Sequence, residues 1–254
     1  MLRAILWDVD GTLAETERDG HLLAFNRAFE ALGLPWRWSD ARYGELLAVA
    51  GGRERLLHDL QSQPQAPPAG PQRLALLDRI HRLKNQYYAA IVSAGALPLR
   101  AGVAELFADC AAAGVPMAIT TTTSAANVAA LLGAHLGAGW RTQFAAVVCA
   151  EQAPLKKPNP QVYLRALQIL DVAAVDALAI EDSPAGIAAA RAAGIDVVVV
   201  RSFYFADIDA SAALSAGPSL GSSRGWRPLA GAAGDDRITL RDLVRWHQAR
   251  PAIR

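Results

Sequence analysis

Residues 5–12, ILWDVDGT, decide the fold. The apolar run Ala4, Ile5, Leu6 and Trp7 ends at two aspartates two positions apart, Asp8 and Asp10, and then at Gly11 and Thr12. A short apolar run of this kind predicts a buried parallel strand. In an open α/β sheet, ligands sit beyond the carboxyl ends of the strands, which is where both carboxylates fall. Crowding negative groups at a buried edge is costly unless a cation or a shared proton relieves them. A divalent metal does so readily, because hard cations take carboxylate oxygens. Gly11 lets the backbone turn back tightly beneath the pair. Taken alone, the same letters describe a strand entering an Asp-Gly turn. The weight of the reading therefore rests on the company the motif keeps.

Working outward, residues 15–33 carry Leu22, Leu23, Phe25, Phe29 and Leu32 at helical spacing, with Gly33 as a stop. Up to about residue 94 only helical patterns follow, over 43–50, 53–60 and 74–91. The Pro/Gln-rich stretch QSQPQAPPAGPQ, residues 61–72, interrupts them as a loop. Beyond residue 97 the texture changes to alternation. Strands are expected over 115–121, 145–150, 177–180 and 197–200, with helices over 103–113, 125–132, 160–170 and 184–193. In the last of these helices Ser183 is the N-cap, Pro184 opens the first turn and Gly194 lies past the end. Such repetition predicts an α/β fold with a doubly wound parallel sheet. A smaller all-helical domain, residues 16–95, is inserted after the first strand, and residues 1–15 and 96–254 form the core. The Gly/Ser/Ala-rich stretch 211–236 is expected to be loose, and 238–248 to form a final amphipathic helix.

Composition excludes several classes. Across 254 residues, 25 Lys and Arg nearly balance 24 Asp and Glu. No bulk field therefore draws the chain to nucleic acid or to an anionic membrane, and any anion site must be local. Cys110 and Cys149 have no metal-ligand spacing, so a reducing compartment is the default. The first strand starts too close to Met1 to leave room for a targeting peptide, and no apolar run suffices to span a bilayer. A cytoplasmic monomer is expected.

Four chemically suggestive clusters fall on four expected strand ends: Asp8 and Asp10; Thr121 with Thr122, Thr123 and Ser124; a lysine in LKKPNP, Lys156 or Lys157; and Glu181 with Asp182. Carboxylates from two strands can hold Mg²⁺, while a hydroxyl and an ammonium hold phosphoryl oxygens beside it. Phosphoryl transfer needs positioning and charge neutralisation above all. No serine elbow, Walker loop or dinucleotide motif supplies another nucleophile, whereas an aspartate can attack phosphorus covalently.

This ordered set resembles the haloacid dehalogenase superfamily of phosphatases, and the helical insertion resembles that superfamily's C1 cap. Within it the chain is most similar to the CbbY-type sugar-phosphate phosphatases. That likeness rests on DVDGTLAETE, DGH, YGELL with GGRER, HRLK, TTTS, KKPNP and EDSPAGI, all within residues 1–205. The resemblance implies removal of one phosphate from xylulose 1,5-bisphosphate, a Rubisco inhibitor, through an aspartyl-phosphate and with Mg²⁺. It implies Asp8 as nucleophile and metal ligand. Asp10 would be general acid-base, with a raised pKa, and would lend its carbonyl to the metal. Asp182 would complete the metal shell, with Glu181 supporting it. Thr121 and the amide of Thr122 would hold phosphoryl oxygens, and Lys157 would pair with the phosphate and Asp8. On the cap side, Gly51, Gly52, Arg53, Glu54 and Arg55 are expected to cradle a second phosphate, and Glu17 and Lys84 to reach the sugar or that phosphate. His21 and His81 could line the cleft or be structural; His58, His135 and His247 read as structural. A β-phosphoglucomutase-like mutase, a broader sugar-phosphate or phosphoglycolate phosphatase, and a non-catalytic sensor share parts of this pattern.

Overall fold

In a computed structural model, residues 1–228 and 236–249 are described. The first apolar run is strand β1, Ala4–Trp7, buried at every position. It lies at the centre of a six-stranded sheet with β2 (Met117–Thr120), β3 (Ala146–Val148), β4 (Ala177–Glu181), β5 (Asp196–Val200) and β6 (Ser215–Gly217), in the order β3-β2-β1-β4-β5-β6. Every pairing is parallel, and Ile5 of β1 stands opposite both Met117 and Leu178. The order reverses at β1, so its carboxyl end opens into the crevice where such sheets bind ligands.

Both faces of the sheet are covered, which is why its strands read as continuous apolar runs. Ile5, Trp7, Ile119, Leu178 and Ile180 face helices α5 (Val103–Ala112), α6 (Ala125–Leu136) and α9 (Leu240–Gln248). Ala4, Leu6, Ala118, Ala179 and Val199 face α7 (Gln161–Leu170) and α8 (Pro184–Ala192). Ser183 caps α8 by accepting from Gly186 N at 3.1 Å. Between β1 and α5 lie α1 (Leu23–Ala31), α2 (Asp40–Leu46), α3 (Gly52–Asp59) and α4 (Pro71–Ser93). These helices bury their own cluster, with Phe25, Phe29, Trp36, Trp38 and Tyr43 at its centre. Trp38 meets Phe25 and Phe29 with ring centroids 4.7 and 5.1 Å apart. Tilted and edge-on aromatic pairs of this kind add about 1 kcal/mol each beyond area burial.

Two expectations are corrected. The helix anticipated over 15–33 does not begin as an α-helix: residues Glu17–Leu22 form a π-helical turn before α1. A Cβ at Gly20, within that turn, would crowd Leu97 Cδ1 and Tyr88, so the wide turn is threaded closely against α4. The stretch 211–236 is not loose where it is described. It supplies β6, buries Leu220 and Trp226, and stacks Trp226 on Trp246 of α9 at 5.2 Å. Composition pointed away from a strand here, but an edge strand of three small residues needs only backbone pairing and a neighbouring aromatic to cover it. Residues 229–235 of that stretch lie outside the described part.

Candidate active site

Strand ends place the first group of side chains. Asp8 follows β1, and its Oδ2 accepts from Thr12 Oγ1 at 3.1 Å. Lys157, in the loop before α7, donates from Nζ to Asp8 Oδ1 at 2.7 Å, to Glu181 Oε1 at 2.5 Å and to the Thr120 carbonyl at 2.9 Å. Of the two candidate lysines, Lys157 is therefore the one at the strand ends. Glu181, the last residue of β4, is wholly buried and also accepts from Tyr163 OH. Two glycines make room for these carboxylates. A Cβ at Gly186 would collide with that of Glu181, and a Cβ at Gly11 with that of Asp182. Gly11 also has φ +84°, a left-handed conformation that favours glycine.

Carboxylate oxygens of Asp8, Glu181 and Asp182 lie within 4.8 Å of one another, all buried. Burial and then the charge of Glu181 push the Asp8 carboxyl up to about 7, against the pull of Lys157. Burial, Asp8 and Glu181 raise Asp182 well above the ordinary carboxylate range. Burial works against the Lys157 ammonium, but Asp8 and Glu181 outweigh it and hold its pKa high. Two of the three acids, Asp8 and Glu181, thus share one lysine. That donor set, all oxygen and short of positive charge, fits a hard divalent cation; a neutral apolar group would leave it uncompensated.

Asp10 differs from the expectation of a raised pKa. Its Oδ1 accepts from Thr16 Oγ1 at 2.6 Å and lies 3.0 Å from His21 Nε2. Burial opposes ionisation, but the neighbouring His21 and the two hydrogen bonds hold the carboxyl down at about 2. The π-helical turn is what swings His21, stacked on Tyr88, toward Asp10.

Of the hydroxyls after β2, Thr121 is buried, and its Oγ1 accepts from Thr123 N at 3.2 Å, leaving its own proton free to donate. Thr122, Thr123 and Ser124 line a cavity of about 100 Å³ together with Asp10, Glu17, Gly51, Gly52, Arg53, Arg55, His81, Lys84 and Lys156. A second cavity of about 370 Å³ adjoins it through Asp10, Glu17, Gly51, Arg55 and Thr122, and reaches Asp8, Lys157 and Asp182.

The helical side holds its charges by different partners. Arg55 is buried, donating from Nη1 to Tyr43 OH at 2.6 Å and to Glu17 Oε2 at 3.3 Å, and from Nε to the Leu46 carbonyl. Tyr43 OH also donates to Glu17 Oε2, at 2.5 Å. Arg53 instead points outward, 43% exposed and paired with Asp78 at 2.8 Å. Glu54 pairs with Lys156 beside Gly51. Lys84, 3% exposed, has the rings of Phe25 and Tyr88 within 5.4 Å, and burial pushes it down to about 8 despite Asp10 and Glu17. Burial, with Lys84 and Lys156 nearby, pushes His81 down to about 4, so it is neutral near pH 7. His135 bonds the Leu97 carbonyl at 2.7 Å.

Sequence reasoning gave Tyr43, Tyr163, Thr12, Thr16 and Asn127 no place in the site. Tyr43 and Tyr163 reach it through residues distant in the chain, Glu17 and Glu181, whereas Thr12, Thr16 and Asn127 bond to near neighbours, Asp8, Asp10 and Thr123, without any spacing signal. Cys110 and Cys149 are free, and burial pushes both thiols up to about 12. Among the described residues, no helix is long and apolar enough to cross a membrane.

The profile of haloacid dehalogenase-like hydrolases matches residues 2–194. The plasmid-encoded CbbY protein of Cupriavidus necator is 48% identical over 87% of this chain and 86% of its own. The crystal structure of CbbY from Rhodobacter sphaeroides with phosphate superposes with a TM-score of 0.81 at 40% identity, covering 89% of this chain and 97% of that one. An Asp-to-Asn mutant of the same protein, solved with xylulose 1,5-bisphosphate, superposes equally well at 39% identity.

Proposed function

The chain belongs to the haloacid dehalogenase-like hydrolase family, and from that membership we propose that it is a Mg²⁺-dependent phosphatase converting xylulose 1,5-bisphosphate to xylulose 5-phosphate, thereby removing an inhibitor of Rubisco. The observation that carries the reading is a pair of joined cavities, each with cations on its wall. One reaches Asp8, Lys157 and Asp182, and the other is lined by Arg53, Arg55, Lys84 and Lys156. A molecule with a phosphoryl group at each end answers both. The likeness to a CbbY protein solved with xylulose 1,5-bisphosphate supports that choice.

The roles follow from the contacts. Asp8 attacks phosphorus, forming an aspartyl-phosphate while the bond to the sugar oxygen breaks. Asp10, whose carboxyl is held low beside His21, receives a proton across that hydrogen bond as the bond to phosphorus breaks and passes it to the leaving oxygen; it then takes one from the water that hydrolyses the phosphoenzyme. Lys157, held by Glu181 and Asp8, and Thr121, with the amide of Thr122, hold phosphoryl oxygens as charge moves. Such fixed donors act most strongly in a closed, dry site. Asp8, Glu181, Asp182 and the main chain of Asp10 would hold Mg²⁺, which supplies neutralisation of phosphoryl charge. On the far side, Glu17 meets the sugar, kept in place by Tyr43 and Arg55. In this reading residues 16–95 are a cap domain over the core, 1–15 and 96–254.

Phosphate release with Mg²⁺ from a panel of xylulose 1,5-bisphosphate, ribulose 1,5-bisphosphate, fructose 1,6-bisphosphate, glucose 1-phosphate and phosphoglycolate tests this. The expected result is a kcat/KM for the xylulose compound at least ~100-fold above the others, a discrimination within reach of a polar site built to fit. A flat profile would defeat the substrate assignment, and glucose 1-phosphate turnover without free phosphate would mean a mutase.

A further inference from the structure

Lys156 is the one lysine of LKKPNP that the strand ends do not use, and it is not idle. It lies on the wall of the smaller cavity, where the other residues contributed by the sheet side are Asp10, Thr122, Thr123, Ser124, Asn127 and Ala150. It is therefore the only cation that the core supplies there among the described residues. Its Nζ pairs with Glu54 of α3, across the cleft. The approach is built: a Cβ at Gly51 would collide with both Lys156 Nζ and Glu54 Oε2, and Gly51 sits at φ +91°. The opposing cations are otherwise engaged. Arg55 is locked into Glu17 and Tyr43, and Arg53 is drawn outward to Asp78.

Building on the bisphosphate reading above, we infer that Lys156 is the core's ligand for the second phosphoryl group, exchanging Glu54 for it when substrate binds. Glu54 cannot itself take a phosphate, since like charges repel. It serves as the counter-ion that holds Lys156 at the cleft wall. A dianion entering beside Gly51 and Gly52 outcompetes one carboxylate for that ammonium. It also joins the helical side, through Lys84, to the core. The second phosphate thus ties the two walls together, which a monophosphate cannot do.

The test is steady-state kinetics of Lys156→Met, Lys156→Arg and Glu54→Gln on xylulose 1,5-bisphosphate and on xylulose 1-phosphate, the same ketose without the distal group. Lys156→Met should raise KM for the bisphosphate at least ~10-fold more than for the monophosphate, with the smaller effect on kcat, as loss of a charged contact made equally in ground and transition states requires. Lys156→Arg should recover part of the loss, and Glu54→Gln should lower the bisphosphate KM. Equal KM effects of Lys156→Met on both substrates would overturn the inference. So would a Glu54→Gln enzyme impaired like Lys156→Met, because the ion pair itself would then be the working element. Wild-type enzyme that does not prefer the bisphosphate at all would sink the substrate reading first, and this inference with it.

Discussion

At the strand ends, Asp8 and Glu181 both accept directly from Lys157. Across the cleft, Glu17, Arg55 and Lys84 are held by a tyrosine hydroxyl, a main-chain carbonyl and aromatic faces. The first group is an electrostatic knot: burial and the neighbouring carboxylates raise Asp8 and Asp182, while Asp8 and Glu181 lean on one lysine. The second is a packed scaffold in which Arg55 pairs with Glu17 and Lys84 stands against aromatic rings, and whose positions depend on the aromatic cluster of Phe25, Trp38 and Tyr43. Sheet geometry thus concentrates charge where bonds are made and broken. The helices spread it where a substrate must be recognised.

If that contrast is right, damage to the knot should appear in kcat and damage to the scaffold in KM and stability. The largest effect expected is from Asp8→Asn, a loss of at least ~10⁴-fold in kcat, measured as phosphate release. Its melting temperature should not fall, since one of the crowded acids has gone; an active Asp8→Asn enzyme would remove Asp8 as nucleophile. Lys157→Met should cost about 10²- to 10³-fold in kcat. It should also lower the melting temperature, because Asp8 and Glu181 would lose their shared cation; added Mg²⁺ should restore part of that stability.

On the other wall, Arg55→Ala leaves Glu17 and the Tyr43 hydroxyl without their partner. It should destabilise the fold by about 3 kcal/mol, the scale for breaking a buried ion pair, and raise KM more than it lowers kcat; thermal melts and kinetics check both. Lys84 sharpens the same point through pH. Its pKa is about 8, so it is an ammonium below that pH and a neutral amine above it. The kcat/KM for an anionic substrate should therefore fall as pH rises through about 8, and Lys84→Met should abolish that limb. The smallest effect should come from Arg53→Ala, a KM change of about 2- to 3-fold, because an exposed pair such as Arg53–Asp78 contributes little.

The chemistry at strand ends was legible because it is local. Asp8 and Asp10 stand just past an apolar run, and Glu181 ends β4 with Asp182 directly after it, so strand period and strand end together place them. Ser183 and Pro184 announced α8 in the same way. The helical wall was legible only as helices. Periodicity marks which face is apolar, but it does not say that Arg55 turns inward and Arg53 outward two positions earlier. Nor could it show the π-helical turn that delivers His21, or the small-residue edge strand β6, whose order comes from pairing with β5 and from the Trp226–Trp246 stack.

By itself the sequence determined the doubly wound core, the helical insertion and the identity of the strand-end acids, since backbone propensity and apolar spacing act over a few residues. Only the tertiary structure decided partners. Lys157 rather than Lys156 reaches Asp8 across a separation of 149 positions, Glu181 turns to that lysine and to Tyr163, and Glu54 pairs with Lys156 across the cleft. Such pairings depend on which buried charges packing brings within a few ångströms, and Coulomb energy in a desolvated site depends on that distance and not on separation along the chain.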